Sequence, residues 1–278
     1  MSLVKQYYFM AGLPRSGGTL LKSILNQNPN IHTNPVSPVL ELMYYTDEYF
    51  LTSESFLAYP KPKAAHKMIS SIIENYYSDV EKPIVIEHNR AWPNNIERIK
   101  TYITPKPKII CTVRDVLEIL TSFVTLIHKN GDEVNFIDKE LIKSGCTVDD
   151  HNRCLFLMSP NGIVDQALWS LAQAFIRNDN KYLLLVDYND LVNTPEKIMT
   201  QIYDFLEIDH YSHDFNNVEN DHQEQDQTWN LKDMHHVRKK VEKKSLRPEE
   251  VLPLDIINKY NKLEYWKYSD SPYLKRWQ

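Results

Sequence analysis

Arg15, Ser16 and Thr19 stand among three glycines in the segment Ala11-Gly12-Leu13-Pro14-Arg15-Ser16-Gly17-Gly18-Thr19-Leu20-Leu21. The chain has only six glycines, so half of them fall within seven residues. Glycine is tolerated where backbone must take unusual dihedrals or approach a ligand closely, and this concentration marks a local need. The apolar run Tyr7–Ala11 ahead of the loop reads as a strand, and Leu20, Leu21, Ile24 and Leu25 behind it keep a helical spacing. A strand, a glycine-bearing loop and a helix N-terminus aim backbone N–H groups and a helix dipole at one point, which makes an anion site. Against the phosphate-loop pattern G-x-x-x-x-G-K-[ST], Gly12, Gly17 and Thr19 match, but Gly18 stands where the lysine should be. That lysine reaches the β- and γ-phosphates of a nucleoside triphosphate, so its absence weakens a kinase or NTPase reading. Arg15, three residues earlier, supplies a cation for a transferring group instead.

A second constellation follows the apolar run Ile109–Val113. Arg114 stands at that strand's end, where ligands bind in open α/β sheets. Val116, Leu120, Phe123, Val124 and Ile127 then form a helical stripe, and Ser122 lies with Glu118 and Thr125 on the other side. A guanidinium with a hydroxyl suits a phosphate monoester dianion; the alternative for Arg114 is a salt bridge with Asp115 or another acid.

The elements that must carry these residues are four short strands, Tyr7–Ala11, Ile84–Glu87, Ile109–Val113 and Tyr182–Asp187, separated by helical patterns. Further helices are expected around Val36, Val39, Leu40 and Met43, around Val164, Leu168, Leu171 and Phe175, and after Thr194-Pro195, which reads as an N-cap with proline in the first turn. The fold class is α/β, a three-layer P-loop fold with a central parallel sheet flanked by helices. With no internal repeat or low-complexity linker, residues 1–278 are expected to form a single domain. Residues 129–160 look inserted between two helices. Residues 212–228, with five acids and no Lys or Arg, are expected to be solvated loop.

Hydrophobic residues make up 42% and charged residues 25%, which excludes a disordered or collagen-like chain. A net charge of −5 argues against a polyanion-coating role, so no nucleic acid partner is expected. No apolar run is long enough for a membrane span, and the first ten residues lack a signal peptide's hydrophobic stretch. Cys111, Cys146 and Cys154 are too scattered for a disulfide framework or a zinc site and read as reduced thiols. The expectation is a cytoplasmic enzyme without a bound metal, with homo-oligomerisation left open.

Pro14-Arg15-Ser16-Gly17-Gly18-Thr19-Leu20-Leu21 resembles the 5′-phosphosulfate loop of sulfotransferases that use 3′-phosphoadenosine-5′-phosphosulfate (PAPS). The P-R-S-G-x-T-L form is closest to tyrosylprotein-type and bacterial sulfotransferases. The family's second motif, an Arg at a strand end with a Ser eight residues on, is similar to Arg114 and Ser122. Tyr188-Asn189-Asp190-Leu191-Val192, with Pro195 and Phe205-Leu206, resembles the family's Y-E-D-L-V…P…F-L segment, with Asn189 in place of the usual Glu. The resemblance runs in order from about residue 7 to 206. It implies sulfuryl transfer from PAPS to a hydroxyl acceptor, in line and without a divalent metal, releasing the 3′,5′-bisphosphate PAP. It implies donor binding by Pro14, Arg15, Ser16, Gly17, Gly18, Thr19, Leu20, Arg114, Ser122 and Tyr188. The segment His235-His236-Val237-Arg238-Lys239-Lys240 resembles a late basic segment that returns to the 3′-phosphate, which points to Arg238 or Lys239.

The catalytic candidates are Arg15 and a base. Ile86-Glu87-His88-Asn89-Arg90-Ala91-Trp92 resembles the D-K-N-R-x-W segment of bacterial relatives, with His88 where many members carry Lys. The resemblance makes His88 the first candidate base, and its ordinary pKa near 6.5 suits proton abstraction at neutral pH. Glu87 is the next candidate. Val36 stands where tyrosylprotein enzymes carry a Glu, and Glu41 is the substitute further along. The acceptor class is left among small molecules, carbohydrates and lipids. A P-loop kinase and a non-catalytic nucleotide-binding protein are the alternative readings.

Overall fold

The computed structural model describes residues 4–131, 133–220, 226–243, 246–268, 271 and 273. Its centre is a five-stranded parallel sheet of β1 (Gln6–Gly12), β2 (Ile31–Thr33), β3 (Ile84–His88), β4 (Ile109–Val113) and β5 (Leu183–Asp187). The spatial order is β2-β3-β1-β4-β5, with all neighbours parallel. After β1 the chain builds one half of the sheet, then crosses back to build the other, so β1 marks the switch point at whose carboxyl end a crevice opens.

Helices cover both faces. They are α1 (Gly18–Asn26), α2 (Val39–Thr52), α3 (Glu54–Ala58), α4 (Pro62–Tyr76), α5 (Ile96–Tyr102), α6 (Val116–Asn130), α7 (Phe136–Lys143), α8 (Asp150–Leu157), α9 (Ile163–Ile176), α10 (Tyr188–Asn193), α11 (Pro195–Leu206), α12 (Pro248–Val251) and α13 (Leu254–Tyr260). Strand alternation sorts the core into two clusters. Phe9, Ala11, Val85, Cys111 and Val113 face α2, α4, α6 and α9, whereas Tyr8, Met10, Ile86, Ile110 and Val186 face α1 and α11. Each fully buried aliphatic or aromatic side chain contributes about 2 kcal/mol, so two filled faces hold the strand ends in fixed register. The four expected strands match β1, β3, β4 and β5 to within one residue at each end.

Residues 129–160 are the expected insertion between two helices, running from the end of α6 through α7 and α8. Asn135 caps α7 by accepting from the N–H groups of Ile137 and Asp138 at 2.9 and 3.1 Å, and Asp149 caps α8 through Asn152 at 2.8 Å. Arg153 binds both oxygens of Asp138, at 2.7 and 2.9 Å, tying the two helices together. Two other local readings change. Thr194 does not cap α11 through its side chain; its hydroxyl donates to the Asp190 carbonyl at 3.1 Å. Nor is the start of 212–228 simply solvated: Val218 is buried and its N–H donates to the Lys239 carbonyl at 2.6 Å, while Val241 N–H donates to Phe215 at 2.8 Å. This pairing lays the segment around Val237–Val241 across the sheet's carboxyl end as an extended strap.

Candidate active site

The loop between β1 and α1 is shaped by contacts that few residues other than glycine would allow. Gly12 has φ +147°, and a Cβ there would stand 2.2 Å from Thr112 Oγ1. Gly17 has φ +89°, and its Cβ would meet the Tyr188 ring at 2.9 Å. Arg15 itself is left-handed at φ +61°, a conformation that costs a non-glycine residue about 1–2 kcal/mol. The Ser16 hydroxyl turns inward, with Thr112 O at 3.0 Å and Thr112 Oγ1 at 2.7 Å, so Ser16 offers a ligand its backbone rather than its side chain. The loop thereby delivers the first-turn N–H groups of α1 to the crevice.

Two arginines meet at this loop. Arg114 is 4% exposed; it donates through one terminal nitrogen to the Arg15 carbonyl at 3.0 Å and through Nε to Glu118 at 2.8 Å. Its guanidinium lies 4.0 Å from the centre of the Tyr188 ring. The alternative of a salt bridge is thus realised with Glu118 and not with Asp115, which caps α6 by accepting from Glu118 N–H at 3.0 Å. Arg15 Nε donates to Ser122 Oγ at 3.1 Å, and a terminal nitrogen donates to the Met234 carbonyl of the strap. Burial and the neighbouring Arg114 lower the Arg15 pKa to about 10, which leaves it charged at neutral pH. Arg15, Arg114, Ser122 and Tyr188, distant in sequence, thus form one cluster.

The crevice has a volume of about 1140 Å³. That exceeds the usual range for one small ligand and leaves room for a nucleotide and a second substrate. Pro14, Arg15, Gly17, Gly18, Thr19, Leu20, Arg114, Ser122, Tyr188 and Arg238 all border it, as do His88 and Glu41. Lys239 does not: its backbone pairs with Val218 and Lys240 borders the crevice instead. Arg238 is exposed and paired with Glu242 at 2.7 Å. Trp229 lines the crevice against Phe136, whereas Trp92 is core, edge-on to Phe9 at 4.8 Å.

The end of β3 separates the candidate bases. Glu87 pairs in register with Phe9 and shares its face; it is fully buried and accepts from Ser37 at 2.7 Å and from Tyr77. Desolvation raises its pKa, and it does not reach the crevice. His88 pairs with Met10 and points to the α1 side. Its Nδ1 bonds the Pro35 carbonyl. A carbonyl only accepts, so Nδ1 carries the proton and Nε2 is left as the basic nitrogen. Burial first, then Lys22 and Arg90, hold the His88 pKa well below its ordinary value, so the imidazole is neutral. Glu41 is exposed at the crevice and held by Asn89 Nδ2 at 3.0 and 3.2 Å.

The family description of sulfotransferases matches residues 8–213, which spans the loop, both arginines, His88 and Tyr188. The chain belongs to the sulfotransferase family. This sulfotransferase also shares its fold with solved relatives. Mouse sulfotransferase SULT7A1 complexed with PAP is 16% identical at a TM-score of 0.52, over 97% of this chain and 87% of the other. The sulfotransferase domain of the Synechococcus PCC 7002 olefin synthase is 18% identical at a TM-score of 0.50, over 95% of each chain. No curated protein matches the sequence. Sulfuryl transfer is accordingly the activity of the chain.

Two site residues escape the sequence reading. Lys22, on the polar side of α1, is 6% exposed, borders the crevice and donates to the Pro35 carbonyl at 2.6 Å. Met234 acts through its backbone and leaves no sequence signal. A lysine amid the stripe of Leu20, Leu21, Ile24 and Leu25 resembles a solvated helix position until the Pro35 segment is seen to pack over it.

Proposed function

We propose that the chain, acting as a single domain, transfers a sulfuryl group from PAPS to a hydroxyl of a small-molecule, carbohydrate or lipid acceptor and releases PAP. The observation that carries this reading is the cluster of two guanidiniums and the Ser122 hydroxyl at the N-terminus of α1. The loop N–H groups and Arg15 suit the phosphosulfate, while Arg114 and Ser122 suit the 3′-phosphate, with Tyr188 and Arg238 adjoining. The PAP complex of the mouse relative supports the same donor. A kinase would need a lysine at Gly18.

In the proposed step His88 Nε2 removes the acceptor's hydroxyl proton as the acceptor oxygen attacks sulfur. The new S–O bond forms while the bond to the bridging oxygen breaks, and that electron pair stays on the 5′-phosphate of PAP. Charge builds on the bridging oxygen and the sulfonate oxygens; Arg15 and the loop N–H groups stabilise it, each well-placed donor contributing about 3 kcal/mol. The guanidinium thereby takes the place that a divalent ion holds in phosphoryl transfer. Glu41 borders the same volume and is the alternative base. Three free cysteines support a cytoplasmic setting, and among the described residues no helix is long and apolar enough to cross a membrane.

The test is thermal: PAP and PAPS at a hundred times Kd are expected to add about 2.7 kcal/mol of stability, with ATP and Mg²⁺ adding far less. Stabilisation by ATP with Mg²⁺ and none by PAP would reverse the assignment.

A further inference from the structure

We propose that Lys22 is a positioning residue that makes the basicity of His88 depend on the bound donor, through the Pro35 carbonyl that both side chains share. This rests on His88 being the base. Lys22 Nζ donates to Pro35 O at 2.6 Å, and His88 Nδ1 donates to the same oxygen. A carbonyl oxygen has two lone pairs and can hold both donors at once. Lys22 is buried on α1, three residues past Thr19, and borders the crevice, so it links the anion loop to the end of β3.

The charges around His88 give this link a direction. Lys22 faces it from α1, Arg90 from two residues beyond β3, and His235 from the strap, where the Asp226 carboxylate lies 2.6 Å from His235 Nδ1 and offsets it, so Lys22 and Arg90 are the cations that count. Among the acids, Glu41 is held by Asn89, and Glu87 lies on the opposite face of the strand, bonded to Ser37 and Tyr77. Protonating Nε2 would gather a second cation around a carbonyl that already carries an ammonium. In the donor-free crevice His88 therefore stays neutral and accepts a proton poorly. The phosphates and sulfonate of a donor bring anionic charge into the volume that Lys22 lines, which offsets the repulsion and lets Nε2 hold the acceptor's proton. The base is thus weak until the donor has bound, which favours donor binding before acceptor chemistry.

The experiment is a pH titration of the His88 ring nitrogens by NMR, assigned with His88→Asn, on full-length protein with and without saturating PAP. In the unsubstituted protein PAP is expected to raise the His88 midpoint by about one pH unit or more. In Lys22→Met and Lys22→Gln the PAP-free midpoint rises, and the further rise on adding PAP falls to less than half. The Nδ1–H tautomer persists in both variants because the Pro35 carbonyl still accepts from His88, and Gln also keeps a second donor on that carbonyl while the charge effect is lost. If PAP binds by calorimetry and leaves the His88 midpoint of the unsubstituted protein in place, the proposal is overturned while the donor assignment stands. It is overturned in the same way if both variants fold and titrate as the unsubstituted protein does. Failure of PAP to bind at all removes the donor assignment and the proposal with it.

Discussion

Arg114→Ala separates a phosphate-binding arginine from a structural one. The guanidinium makes hydrogen bonds at 3.0 Å to the Arg15 carbonyl and 2.8 Å to Glu118, and stacks 4.0 Å from the Tyr188 ring centre. Those contacts fix the fork, and under the proposed function its remaining donors serve a dianion. Losing one or two charge-assisted hydrogen bonds to a phosphate, each about 1.5–3 kcal/mol, should cost roughly 3 kcal/mol of PAP affinity, about a hundredfold in Kd. Adenosine 5′-phosphosulfate, which lacks the 3′-phosphate, loses only the effect transmitted through the Arg15 carbonyl and is expected to weaken less than about fivefold. Arg114→Lys keeps the charge but not the planar fork, so it should fall between the two. Isothermal titration calorimetry with both nucleotides reads the difference. Equal losses for the two ligands would mean that Arg114 does not bind the 3′-phosphate and only holds the loop.

Other expected outcomes follow from the same geometry. His88→Ala should lower kcat by about a hundredfold or more while PAP affinity stays within about threefold; steady-state kinetics with full activity retained would shift the role to Glu41. Gly17→Ala puts a methyl 2.9 Å from Tyr188 at φ +89° and should cost about 2 kcal/mol, seen as a melting temperature lower by roughly 4–8 °C. His213 has its pKa lowered to about 4, first by burial, while its Nε2 bonds the Tyr203 hydroxyl at 3.0 Å. Between about pH 6.5 and 4 the unfolded chain therefore binds the extra proton, and stability should fall as pH drops through that window. His213→Asn should flatten this part of the denaturation profile, and an unaltered slope would show that another group sets it.

The parts legible in the sequence are those where one local pattern decides the outcome. β4 is a five-residue apolar run bounded by a charged residue, and it is buried at every position. β2 was invisible because three residues, Ile31-His32-Thr33, carry no period; they become a strand only by pairing with β3 at the sheet edge. The choice between Glu87 and His88 needed a register. In a parallel strand covered on both faces, Val85 and Ile86 are both apolar, so no polar alternation says which way each neighbour points. Pairing of Glu87 with Phe9 and His88 with Met10 decides it. Arg114 and Ser122 were readable as neighbours because a strand end and about two helix turns fix their separation, whereas Lys22 depended on the Pro35 segment folding back across α1.

A crystal structure grown with saturating PAP bears on the central assignment most directly. The 5′-phosphate is expected within hydrogen-bond distance of the N–H groups of Gly17, Gly18 and Thr19, and the 3′-phosphate on Arg114 and Ser122. A nucleotide bound elsewhere, with that loop left empty, would contradict it.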